Sequence, residues 1–376
     1  MKKLITAILA FITIPTIAQI TGDGFYRIQN NKSERYIAIT DSVNNNTNIS
    51  STIIDINNIT TWKGFDNVKS NPASIIYIEA VGSKYNVSAQ GISVRDLTGG
   101  KAYVSLNKRA EGIYIIQASA TQGGVSVTKT LYDATSDRDY DYVKTDSHDE
   151  THKYWRIKPV NTDDNYIGIT PKVQTNDGWY GTIYAAFPFK VVSTGMNVYY
   201  VDGIHEGQFQ LNEITEEVKP AATPLIVKCS SNNAEENKIM PIANDGTTVT
   251  DNLLKGTYFD STLPTHEAYI EYDKNTMRVL GKDDSGNLIF TQAQESDLTK
   301  KKYIPKNTCW LDVPNGLSGD FKYVSREEFT GIHSVETNPL SNTAKGTYTL
   351  YGTRVDEANT LRPGIYIQNG KKIVIK

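Results

Sequence analysis

The chain has 376 residues, with 39 lysines and arginines against 42 aspartates and glutamates, and only two cysteines. Slight acidity without a long basic block denies a nucleic acid or an anionic membrane its electrostatic footprint. Two cysteines in so long a chain do not make a disulfide scaffold, and the length is too great for one hydrophobic core.

Lys2 and Lys3 precede the apolar run Leu4 to Ile17, which Pro15 interrupts, and Thr16-Ile17-Ala18 sets a small residue before Gln19. That succession predicts a secretory signal peptide over residues 1–18, cleaved between Ala18 and Gln19. The run is too short for a span of about 20 residues, so no transmembrane anchor is expected after cleavage. The expected location is extracellular or on the outer cell surface, with the periplasm as the alternative.

Beyond the leader, short runs rich in Tyr, Ile, Val and Thr alternate with Gly, Asn, Asp and Pro, and amphipathic helical stretches are nearly absent. This pattern predicts an all-β chain, and the 23 tyrosines suit half-buried pleated surfaces. Within residues 19–160 one unit recurs weakly. Phe25-Tyr-Arg-Ile-Gln-Asn30, Ile75-Ile-Tyr-Ile-Glu-Ala80 and Ile113-Tyr-Ile-Ile-Gln-Ala118 each precede a second strand, at Arg35–Ile39, Lys84–Ser88 and Val125–Thr128. Three units that cannot bury their faces alone imply a pseudo-threefold body, with Trp155 as its central plug. This stretch resembles the ricin-type β-trefoil. That family's Gln-x-Trp signature is reduced to Lys153-Tyr-Trp155 and Thr60-Thr-Trp62, which supports the fold more than sugar binding.

Residues 161–325 read as successive strands with closely spaced turn signals, which predicts a β-sandwich domain. Its core is expected to melt separately from the first. The order Tyr184-Ala-Ala-Phe-Pro-Phe189, Val198-Tyr-Tyr-Val201, Ala222-Thr-Pro-Leu-Ile-Val227 and Tyr303-Ile-Pro-Lys-Asn307 is similar to a β-domain common in secreted Bacteroidetes proteins. Residues 331–376 follow a polar linker and contain Asn369-Gly370 between two alternating strands, the strongest short-range hairpin signal. Through Gly352, Arg354, Val355, Gly364, Tyr366, Asn369, Gly370, Lys371 and Lys372, this tail resembles the C-terminal sorting domain of type IX secretion substrates. The resemblance implies that the tail is read by a secretion machinery.

Catalytic signals are weak. His148-Asp-Glu-Thr-His152 mimics a zinc-protease helix, but the second residue is Asp and the surroundings read as a loop entering a strand, so the histidines would not share a helix face. Asp137, Asp139 and Asp141 open like a calcium loop, yet Tyr142 and His148 occupy the positions that need Gly and Glu. A looser site using Asp133 or Asp146 stays open. Cys229 and Cys309 either pair or sit separately as buried apolar groups. No catalytic residue, metal or cofactor is assigned. Four aromatics, Tyr140, Tyr142, Trp179 and Tyr180, are candidates for stacking on sugar rings, although packing is their ordinary role. The expected function is non-enzymatic recognition of a glycan or a host protein. An extracellular glycan or peptide hydrolase and a structural surface or matrix component are the alternatives.

Overall fold

Strand propensity decides the architecture, because each β-branched or aromatic run is cut by a turn before a helix can propagate. The computed structural model describes residues 20, 22–41, 54–89, 92–93, 103–134, 136–145, 150–243, 246, 248–259, 269–314 and 317–329, and in the tail 347–349, 354–355, 364–368 and 371–375. Among these the chain is all-β, with one four-residue α-helix, Arg326–Phe329. No described helix is long and apolar enough to cross a membrane. Internal packing divides the chain into two units, Met1–Phe329 and Thr330–Lys376.

The first sheet system spans 24–159 and closes on itself. Gly24–Asn30 pairs with Tyr154–Pro159 on one side and with Ile76–Val81 on the other. Lys84–Ala89, Tyr103–Ala110 and Ile113–Gln122 complete a ring of six antiparallel strands. Tight turns join 81 to 84 and 110 to 113, while the links from 30 to 76, 89 to 103 and 122 to 154 are long excursions. Ring strands therefore come in three excursion-linked pairs. Ile76–Val81 closes the first pair, and the second opens at Lys84, not at Ile75 as the sequence repeat suggested. The ring interior holds Ile28, Ile78, Ile116 and Ile157 around Trp155, which is 0% exposed and donates its indole N–H to the carbonyl of Leu131 at 2.9 Å. An apolar void of about 40 Å³ remains between Ile37, Ile59, Val87 and Val104.

The second system, 167–323, is layered. A ten-stranded sheet runs in the order 173–175, 178–183, 225–229, 197–205, 208–213, 321–323, 288–291, 277–282, 308–312, 254–257. Its two halves meet in one parallel ladder, Gln208–Phe209 against Lys322–Tyr323. The sheet folds over, so that Val201, Phe209 and Ile226 of one half pack against Phe290, Leu311 and Phe321 of the other. A separate four-stranded sheet, 167–168, 238–241, 189–191 and 218–219, covers the opposite face of the first half through Ile167, Phe189, Leu225 and Val227. There are thus three layers where a sandwich has two. The central one is buried on both faces, which explains the unbroken apolar run Leu225-Ile-Val227.

The two systems are stitched together. Arg27 is 1% exposed, and its guanidinium donates to Ser74 Oγ and the Val68 carbonyl in the first system, and to the Asn165 and Tyr166 carbonyls and Asn165 Oδ1 beyond it. Burial lowers its proton affinity, and the five bonds replace the lost water. Phe25 packs against Phe187 at 5.5 Å, and Phe259 enters the ring's core. The Gly168 N–H donates to the Lys69 carbonyl, and a Cβ on Gly168 would lie 2.0 Å from the Ala234 oxygen. No larger residue fits this crossing.

The tail unit is one four-stranded sheet, 354–355, 347–349, 364–368, 371–375. Arg354, Gly364, Tyr366, Lys371 and Lys372 lie in its strands. Gln368 pairs with Lys371, which leaves two residues for the connection; these, Asn369 and Gly370, lie outside the described residues, as do Gly352, Ala18 and Gln19.

Candidate functional site

A cleft of about 830 Å³ lies between residues 172–182 of the first half of the long sheet and residues 279–309 of the second. Sheet curvature builds it, since strand 173–175 approaches 277–282, and 178–183 approaches 308–312, without pairing. Cys309 anchors the contact through its backbone N–H to Thr182 Oγ1 at 3.4 Å. Gln174, Gln292, Gln294, Ser296, Thr299 and Thr308 give the lining its amides and hydroxyls. Lys172 and Lys282 add positive charge, Asp297 contributes the one carboxylate among the described lining residues, and half-buried Trp179, which also packs against the core under the four-stranded sheet, borders it.

Trp179 and Tyr180 both border this cleft, but alternation along strand Gly178–Ile183 gives them different roles. Tyr180 is 3% exposed and belongs to the core between the two sheet halves. Its hydroxyl donates to Asp177 Oδ2 at 2.9 Å, and burial followed by that bond raises its pKa well above the ordinary value. Asp177 also accepts from Thr175 at 2.6 Å and Lys228 at 3.0 Å. Partial burial pushes this carboxyl up, but these three donors outweigh it and hold it below the usual range. The Asp177 cluster thus braces the cleft's edge strand.

Tyr140 and Tyr142 lie elsewhere, in strand Tyr140–Tyr142 against Ile59–Lys63. Tyr140 is exposed and stacks on Trp62, with ring centroids 5.2 Å apart. Tyr142 is half-buried. The four aromatics therefore lie in two separate places in the fold.

The acidic loop is committed to structure. Asp133 is buried, accepts from Thr61 at 2.6 Å and from Ser33, and sits 3.6 Å from Arg35. Arg35 in turn donates to the carbonyls of Ala134, Ser136 and Arg138, so the pair pins the loop from inside. Asp141 accepts from Ser136 and from the Tyr142 N–H. Among the described residues no three His, Cys, Asp or Glu side chains converge as metal ligands; His148 and Asp146 lie outside that set. Cys229 and Cys309 are free and buried. Burial pushes both thiols up to about 12, so neither is a nucleophile at neutral pH.

Compared with known proteins, the chain matches no family model and no curated protein sequence.

Sequence reading missed most of the cleft. Its lining residues are spread from 172 to 309, with no local spacing to announce them. The one usable signal was an aromatic pair beside an Asn-Asp-Gly turn, at Asn176 to Tyr180.

Proposed function

We propose that this is an exported, non-enzymatic carbohydrate-binding protein whose ligand occupies the cleft between residues 172–182 and 279–309. The observation that carries this is the lining: amides, hydroxyls and one indole around a volume suited to a few sugar rings. Amides and hydroxyls match the donor and acceptor pattern of sugar hydroxyls, and an indole offers an apolar face to a pyranose ring. Hydrolysis by paired carboxylates needs two acids about 5 to 10 Å apart, whereas Asp297 is the only acid among the described lining residues. The six-stranded ring with three long excursions supports the β-trefoil resemblance, and the independent tail sheet is consistent with a module read by the secretion machinery.

Calorimetric titration with oligosaccharides, with the products monitored for cleavage, tests the reading. Binding without cleavage is expected, weakened about tenfold by Trp179→Ala, a loss of about 1.4 kcal/mol. Cleavage of the ligand would make the protein a hydrolase, and failure to bind any glycan would overturn the proposal. Deleting 331–376 should leave Met1–Phe329 folded while trapping it in the periplasm. Normal surface delivery of the deletion would reduce the tail to a structural appendage.

A further inference from the structure

Strand Ile113–Gln122 outruns its partners in the ring. It pairs with Tyr103–Ala110 and with Tyr154–Pro159 no further than Gln117, and beyond that point its described partner is Val125–Thr130 alone. The result is a two-stranded ribbon over residues 118–129. Its turn, Gly123-Gly124, has φ of +57° and +80°, the mirror-image geometry that fits the twist of paired strands. A Cβ on either glycine would meet nothing within 4 Å, so the tip stands clear. Among the described strands none pairs with the outer edge of Val125–Thr130. Exposed edges of this kind are ordinarily protected by a charge, a proline or a bulge. From Ala118 to Thr128 this ribbon has no charged residue and no proline, in a chain that is 22% charged, and its register runs without a bulge. Alternation puts Ser119, Thr121, Ser126 and Thr128 on one face, with the Ser119 and Thr128 hydroxyls bonded at 2.8 Å. The other face carries half-buried Val127 and Val125, which is 64% exposed.

We infer that this edge is a self-association site, on which the same edge of a second copy of the chain pairs antiparallel to give a four-stranded sheet. A second copy is the occupant because the edge complements itself. Gln122 and Val125 face each other across the two-residue turn and form its bonded pair, so alternation turns the N–H and C=O groups of Ser126 and Thr128 outward. A two-fold axis through Val127 sets Ser126 of each copy against Thr128 of the other as bonded pairs. The same axis brings the two Val127 side chains together in the non-bonded pair, where side chains come closest. Val125 then faces Lys129 of the second copy, so no like charges are opposed. The ribbon is small beside a standard interface, which makes the dimer a weak one, with a dissociation constant on the order of 10–100 µM.

Sedimentation equilibrium of the exported chain over roughly 1–500 µM tests this, with a monomer–dimer equilibrium as the expected result. Val127→Lys and Val127→Glu should each leave only monomer, because each sets two like charges in contact across the axis. Mixed in equal amounts, the two variants should form a heterodimer that added salt weakens. Val125→Lys, at a position already exposed, opposes Lys129 of the second copy and should weaken the dimer about three- to tenfold. This variant keeps the test open if the Val127 variants fold poorly, and an unchanged thermal midpoint at low concentration is the control for folding. A monomer throughout the range would overturn the inference, as would a dimer that survives Val127→Lys or a mixture of the two charged variants that stays monomeric. Growth beyond the dimer would also overturn it, since a two-fold contact closes on itself.

Discussion

Replacing Trp155 by alanine tests both the core of the ring and its coupling to the rest of Met1–Phe329. The indole is fully buried, and its N–H is bonded to the Leu131 carbonyl. Truncating a buried tryptophan costs about 3–5 kcal/mol, and the orphaned carbonyl adds about 1 kcal/mol. At about 2 °C per kcal/mol for a unit of this size, the midpoint should fall by roughly 8–12 °C. Trp155→Phe keeps a ring and should lose less than half as much. Because Arg27 bonds both systems and Phe259 lies in the ring's core, scanning calorimetry should show one endotherm that moves as a whole. This differs from the independent melting expected for two separate cores. Two endotherms of which only one shifts would refute the coupling, and a fall below about 2 °C would refute the plug.

Four further outcomes are expected. Because the folded Asp177 carboxyl sits below its unfolded value near 3.9, its stabilisation is present above that pH and lost as pH falls through the folded value. The deficit of Asp177→Asn in thermal scans should therefore be largest at neutral pH and close below about pH 4. Both thiols should resist a disulfide reagent in the native protein and react on unfolding, and a reductant should leave the melting midpoint unchanged, as two free buried cysteines require. Gly168→Ala should lower the urea midpoint by the equivalent of about 1–3 kcal/mol, since the added methyl meets the Ala234 carbonyl. Val104→Ile should raise the midpoint slightly, because filling the 40 Å³ void is worth about 1 kcal/mol at most.

Strands were legible where one face meets solvent. Ile76–Val81, whose burial alternates from Ile76 to Glu79, is read correctly by a period of two. Arg27 was not legible, since Tyr26, Arg27 and Ile28 are buried in succession. The outer face of the ring there is covered by 165–166, and alternation cannot foresee a second layer. The middle repeat slipped for a related reason: Ile75–Ala80 and Lys84–Ser88 both read as strands, and only pairing tells which opens a unit. Within the candidate site, Trp179 is read from sequence as an exposed loop aromatic, but it lies half-buried in strand Gly178–Ile183. Lys172, Lys282 and Gln292 look like ordinary surface polar residues until the long sheet folds over.

That folding-over depends on a late arrival. Among the described strands, Phe321–Tyr323 alone joins the two halves of the ten-stranded sheet by pairing, and it bonds to residues made more than a hundred positions earlier. Until it is made, strand Gln208–Glu213 keeps an open edge, although residues 279–309 of the cleft's second wall are already present. The same delay makes fragments ending before residue 321 liabilities, since an exposed sheet edge recruits other chains.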